Sequence, residues 1–167
     1  MKDEIKVKKG KASKAQGGLF ELRVRLDLEE KGWNVDKWTN QVEFDKDNNG
    51  KLVKAKPKFV FNPQLKRRVM MGNGAGFPDY LCMRVHIKAE DIGAGLRTNT
   101  LHQVIGVESK MTGELDRLEK EKCKWLLDNN IFSKILIASK HKIKNRVHIE
   151  YEDFKEKYWR FYEKSKD

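Results

Sequence analysis

The sequence predicts one α/β domain with a mixed central β-sheet flanked by helices. Three observations carry this. The apolar run Val104-Ile105-Gly106-Val107, a helical stretch over 113–129 and a second apolar run over 131–139 make a βαβ unit. Its strands are expected to be parallel and its crossover right-handed. Upstream, the strand-like segment Tyr80 to Ile87 reaches strand 103–110 through Asp91-Ile92-Gly93-Ala94-Gly95-Leu96, a turn that folds the two into an antiparallel hairpin. Finally, 167 residues with 38% hydrophobic content suffice for one real core, and nothing in the chain reads as an interdomain linker.

The elements follow in order. Residues 1–16 carry Lys6, Lys8, Lys9, Lys11 and Lys14 with almost nothing apolar, and read as a flexible basic arm before a single domain over 17–167. Residues 18–31 alternate apolar and polar like a strand. Their Leu, Glu and Arg content and a Gly32 placed for a C-cap decide for a helix. Trp33 to Trp38 and Asn40 to Phe44 read as strand, and Asp45-Lys46-Asp47-Asn48-Asn49-Gly50 as a turn. Lys51 to Phe61 is a returning strand, so 40–61 is an inserted β-hairpin. The turn imitates the start of a calcium loop, but Lys56 stands where a bidentate Glu belongs. Gly72-Asn73-Gly74-Ala75-Gly76 leads into a strand rather than a helix, so it reads as an approach loop, not a nucleotide-binding one. Within 113–129, Leu115, Leu118, Lys122, Trp125 and Leu126 form one helical face. Arg146 to Tyr151 is a last strand, and Asp153 caps a final helix bearing Phe154, Tyr158, Phe161 and Tyr162 on one side.

The formal net charge is +11 and the sequence pI about 9.6, a balance that attracts polyanions, nucleic acid foremost. Cys82 and Cys123 lie in apolar surroundings and read as buried reduced thiols. No stretch reaches transmembrane length and the N-terminus lacks a secretory pattern, so a cytoplasmic location without membrane contact is expected. His86, His102, His141 and His148 are scattered with no zinc spacing, and there is no GxSxG, so metalloprotease and serine-hydrolase chemistry are poorly supplied.

The chemistry-bearing signals are Pro78-Asp79 and Glu108-Ser109-Lys110. A hairpin centred on the 91–96 turn pairs residues whose numbers add to 187, which sets Asp79 opposite Glu108, with Cβ atoms roughly 4.5–5.5 Å apart. Strand alternation puts Glu108 and Lys110 on one face. Two carboxylates sharing a divalent cation beside an ammonium are what metal-dependent phosphodiester cleavage requires.

With these residues in order, the chain resembles the PD-(D/E)xK nuclease superfamily. Gly17-Gly18-Leu19-Phe20-Glu21 through Gly32-Trp33-Asn34-Val35 resembles the archaeal Holliday-junction resolvases, and Val107 to Leu126 the VRR-NUC nucleases. The resemblance implies a restriction-endonuclease-like core with Asp79 and Glu108 as metal ligands. It makes Lys110 the charged catalytic partner, Glu21 a further catalytic acid, and Mg²⁺, with Mn²⁺ as substitute, the cofactor. The gap between the two motifs is longer than the family's, and Lys122 replaces a usual Gln. The implied activity is a DNA endonuclease, structure-specific for branched or distorted duplex. A homodimer is expected because two strands are most simply cut by a two-fold pair of sites, with the aromatic C-terminal helix as the candidate contact. Lys122, Lys66, Arg67, Arg68 and the basic arm are the expected nucleic-acid contacts. The alternative is a nucleic-acid-binding protein that keeps this fold without cleaving.

Overall fold

The computed structural model describes residues 2–72, 76–88, 100–144 and 146–164. Helix α1 (Lys2–Glu30) buries Phe20, Val24 and Leu28, one residue per turn, on a single face. It ends as the sequence predicts. Gly32 takes φ +82°, Gly32 N–H donates to Glu29 O at 3.0 Å, and Trp33 N–H donates to Leu28 O at 3.0 Å. That is the paired closure glycine permits at a helix end. The basic arm expected over 1–16 is corrected, because from Lys2 it is the first half of the same helix. The strong helix formers Lys, Glu and Ala in that stretch carry the helix through Gly10, Gly17 and Gly18.

Strand β1 (Asn34–Lys37) follows, then β2 (Asn40–Phe44) and β3 (Gly50–Lys54), which pair as an antiparallel ribbon. Its turn is the expected one: Asp45 accepts Asp47 N–H at 2.9 Å and Asn49 N–H at 2.8 Å, and Asn48 sits at φ 62°. The single return strand expected over 51–61 is a second correction. Pro57 cannot donate to a ladder, and the chain breaks there. A new strand, β4 (Lys58–Asn62), pairs with β5 (Arg67–Gly72) as a separate ribbon. The expected 40–61 hairpin is thus two ribbons spanning 40–72.

The central sheet is five-stranded and mixed, in the order β1-β6-β7-β8-β9. It adds β6 (Tyr80–Lys88), β7 (Thr100–Ser109), β8 (Lys134–Ile143) and β9 (Arg146–Asp153) to β1. β7 and β8 are parallel, as the βαβ reading requires, and the other neighbours are antiparallel. The β6–β7 register runs from Tyr80↔Val107 to Val85↔His102, the predicted alignment, and slips by one beyond Val85. The predicted turn at 91–96 lies outside the described residues, as do 73–75 of the glycine-rich loop.

Between β7 and β8 runs α2 (Arg117–Asp128), shorter than expected. Asp116 caps it in a reciprocal box with Glu119, so 113–116 stays outside the helix. Cys123, Leu126 and Leu127 face inward, whereas Leu118, expected on the buried face, is half exposed. Asp153 caps the C-terminal helix as predicted, accepting Lys155 N–H at 2.7 Å. That helix breaks at Tyr158 into α3 (Phe154–Lys157) and α4 (Trp159–Lys164).

Helices lie on both sheet faces. α1 covers Val35, Tyr80, Cys82, Ile105, Val107 and Ala138. On the other face α2 and the β2–β3 ribbon pack with Phe132, Ile135, Ile137 and Phe154. Among the described residues no helix is long and apolar enough to cross a membrane.

Candidate active site

The antiparallel register that pairs Tyr80 with Val107 carries one residue further, bringing Asp79 against Glu108. The two carboxylates are clasped crosswise by backbone. Asp79 N–H donates to Glu108 Oε2 at 3.1 Å, and Ser109 N–H donates to Asp79 Oδ2 at 3.0 Å. Both acids are sunk in the fold, with side-chain exposures of 13% and 7%. Behind them Gly106 leaves room for the ring of Pro78: a Cβ there would stand 2.7 Å from Pro78 Cγ and 3.2 Å from Phe132.

Burial, and then the neighbouring Asp79, push the Glu108 carboxyl up to about 8, against the opposing pull of Lys110. Asp79 is raised too, by burial and the charge of Glu21, with Lys37 and the Ser109 N–H acting the other way. Two acids this close and this dry cannot both ionise at neutral pH without added positive charge.

A lysine flanks each acid. Lys110 Nζ lies 3.3 Å from Glu108 Oε1 and makes a short ion pair with Glu119. Burial works against the Lys110 ammonium, but the Glu119 hydrogen bond and the two nearby carboxylates outweigh it and hold it above its ordinary value. Lys110 itself stands one residue past β7, fixed by its N–H to Ala138 O at 2.9 Å. On the other side Lys37 bridges Glu21, at 2.6 Å, and Asp79, at 3.8 Å. Tyr80 ties the α1 backbone to this edge by donating from its hydroxyl to Glu21 O at 2.9 Å. All four predicted catalytic residues therefore fall in one neighbourhood, with Glu21 reaching Asp79 through Lys37.

Sequence reasoning missed Lys37 and Glu119. Nothing local marks Lys37, since the β1–β6 pairing that delivers it joins distant segments. Glu119 had a signal, the Asp116-x-x-Glu119 capping pattern, which places its carboxylate at the start of α2. Ser109 Oγ is buried without a hydrogen-bond partner among the described residues. Among those same residues no three His, Cys, Asp or Glu side chains converge as an all-protein metal cage. The donor set instead fits Mg²⁺, a hard cation that keeps several waters and is commonly held by one or two carboxylates plus phosphate oxygens.

The predicted nucleic-acid contacts are dispersed. Lys14 is exposed on α1, whereas the side chains of Lys6, Lys8, Lys9 and Lys11 lie outside the described set. Lys66, Arg67 and Arg68 are exposed at the tip of the β4–β5 ribbon. Lys122 is partly buried, its Nζ 5.6 Å from the ring of Phe77 and so close to the Pro78-Asp79 step. A cavity of about 400 Å³ lies elsewhere, lined by Phe44, Asn48, Trp125 and Phe161 among others. It flanks the side of α2 that carries Arg117 and Lys124, whereas Glu119 shares a side with the buried Cys123 and Leu126. Compared with known proteins, the chain matches no family model, no curated protein and no solved structure.

Proposed function

We propose that this protein is a Mg²⁺-dependent phosphodiesterase acting on DNA, a nuclease with a restriction-endonuclease-like core of the PD-(D/E)xK kind. The observation that carries the reading is the Asp79–Glu108 pair: buried, clasped through each other's strand, and flanked by two lysines that Glu21 and Glu119 already share. Asp79 and Glu108 would hold the cation. Bound there, it would supply Lewis-acid polarisation of the scissile phosphate and ease deprotonation of a water into the attacking nucleophile. Lys110, kept charged by Glu108 and Glu119, acts as a donor and positive charge toward the phosphate, not as the base that deprotonates water. Glu119 aims Lys110. Lys37 plays the matching role between Glu21 and Asp79, and Glu21 acts at one remove from the phosphate. The mixed sheet flanked by helices, with Asp79 just before β6 and Glu108 near the end of β7, supports this reading.

Branched or distorted duplex is the proposed substrate, cut by a homodimer, since two strands are most simply cut by two-fold related sites. Leu19, Leu22 and Leu26, a half-exposed stripe on α1 at helical spacing, favour that helix over the C-terminal one as the contact. Phe154, by contrast, is fully buried in its own core. The competing reading, binding without cleavage, draws support from the ion pairs that already occupy Lys110 and Lys37.

A gel assay decides between the two. Labelled four-way junction, flap, single strand and linear duplex are incubated with the protein in Mg²⁺, Mn²⁺, Ca²⁺ or EDTA. Cleavage in the first two alone, preferring branched substrates, is the expected result. Binding with no cleavage in any metal overturns the nuclease.

A further inference from the structure

The β4–β5 ribbon has no account in the site just described. Its register sets Phe59 opposite Met70 and Phe61 opposite Arg68, and alternation puts these four side chains on one face. That face is bare: Phe59, Phe61 and Met70 are 57%, 58% and 57% exposed, and Arg68 is exposed as well. An isolated two-stranded ribbon is marginal in water, and displaying two phenyl rings on it earns nothing for the fold.

The ribbon's own charge is one-sided: from Lys58 to Gly72 it holds Lys58, Lys66, Arg67 and Arg68 and no acid. A second copy meeting this face by two-fold symmetry would set cations against cations. A polyanion with flat apolar rings of its own fits both properties at once.

The ribbon is joined to the chain close to the candidate site. The chain enters the 58–72 ribbon just after Ala55 N–H donates to Thr39 O at 2.8 Å. It leaves through Phe77, whose N–H donates to Asn40 O at 2.9 Å, two residues before Asp79. A strand of this length spans about 17 Å, enough to carry a few nucleotides.

We propose that the Phe59, Phe61, Met70 and Arg68 face stacks against unpaired nucleobases, with the strand's phosphates on the ribbon's cations, and so presents an unpaired strand to the Asp79–Glu108 site. Aromatic faces stack on any base, and a guanidinium plane adds cation–π attraction, so this contact selects unpaired over paired bases without reading sequence. The inference rests on the nucleic-acid half of the proposed function and supplies its preference for branched or distorted DNA.

The test is fluorescence anisotropy with full-length protein in EDTA, using a labelled 20-mer single strand and the matching duplex. Both phenyl rings are exposed, so the double variant Phe59→Ala/Phe61→Ala should keep the wild-type melting curve. It should lose about ten- to a hundredfold in affinity for the single strand and under threefold for duplex. As a second readout, Phe59→Trp should show indole quenching on adding single strand and little on adding duplex. Equal losses on both DNAs, or no loss, overturn the proposal. So does a loss of self-association or of anionic-vesicle binding in the double variant with single-strand affinity intact. The cleavage assay is separate: DNA cut in Mg²⁺ with the double variant binding like wild type overturns the ribbon alone. Selective binding through the ribbon without cleavage overturns only the nuclease.

Discussion

Replacing Glu108 by Gln should make the metal-free protein more stable at alkaline pH, because the wild-type side chain is held against its own ionisation. Folding raises its carboxyl from an ordinary 4.5 to about 8, chiefly through burial and then through Asp79. The folded state therefore binds the extra proton between those values, and stability falls as pH rises from about 4.5 to 8. At pH 8 the ionised group costs roughly 4 kcal/mol, taking about 1.36 kcal/mol per pH unit across that window. Gln stays neutral, like the protonated acid, and keeps an oxygen for the Asp79 N–H. The pull of Lys110 is already contained in the value of about 8, so a net gain of up to roughly 4 kcal/mol is expected at pH 8. For a chain of this size that is up to about 8–16 °C in Tm. Thermal melts of both proteins in EDTA from pH 5 to 8.5 supply the test. The wild-type Tm should decline across that range, the variant's should decline less, and the two should converge near pH 5. Adding Mg²⁺ at pH 8 should raise the wild type and leave the variant nearly unmoved. Parallel pH curves for the two proteins would show that Glu108 is not the strained acid, and the argument for a cation there would go with it.

Other expectations follow from the same geometry. Asp79→Ala and Lys110→Ala should each lower single-turnover cleavage by about a hundredfold or more while DNA affinity in Ca²⁺ stays within about threefold, since charge at the reacting phosphate is worth several kcal/mol. Wild-type rates in either variant place the site elsewhere. Glu119→Gln keeps the capping box but weakens the hold on Lys110. It should cut kcat about tenfold with little change in KM or Tm, and a Tm drop without a kcat effect would make Glu119 a cap only. Gly106→Ala would press a methyl group on Pro78 and Phe132, costing about 1–3 kcal/mol and displacing Asp79. A variant with unchanged Tm and activity would mean the Pro78 step has slack. DNA affinity should fall steeply with salt, and a flat log–log plot would contradict phosphate-dominated binding.

The legible parts of this chain were those set by local rules. The alignment of Asp79 with Glu108 was legible as a strand register, which holds from Tyr80↔Val107 to Val85↔His102, whereas the turn used to derive it lies outside the described residues. The βαβ unit was legible because apolar runs of strand length bracket a helical period. The second ribbon was lost because Lys51 to Phe61 is continuously strand-like in composition, though Pro57 marked the break. The basic N-terminal segment misled because charge density suggested an arm while helix propensity was overlooked. Lys37 could not be read at all, since it meets Asp79 only through the pairing of β1 with β6. Its counterpart Glu119 was visible as a cap and invisible as a partner for Lys110.

Metal binding at the carboxylate pair tests the central claim most directly. Isothermal titration of Mn²⁺ into the protein at pH 7.5, run on wild type, Asp79→Asn and Glu108→Gln, reads it without reference to any substrate. We expect binding with proton release in the wild type, as the cation displaces the proton that Asp79 and Glu108 otherwise retain, and no measurable binding in either variant. Unchanged Mn²⁺ binding in both variants, or none in the wild type even with DNA present, would contradict the account.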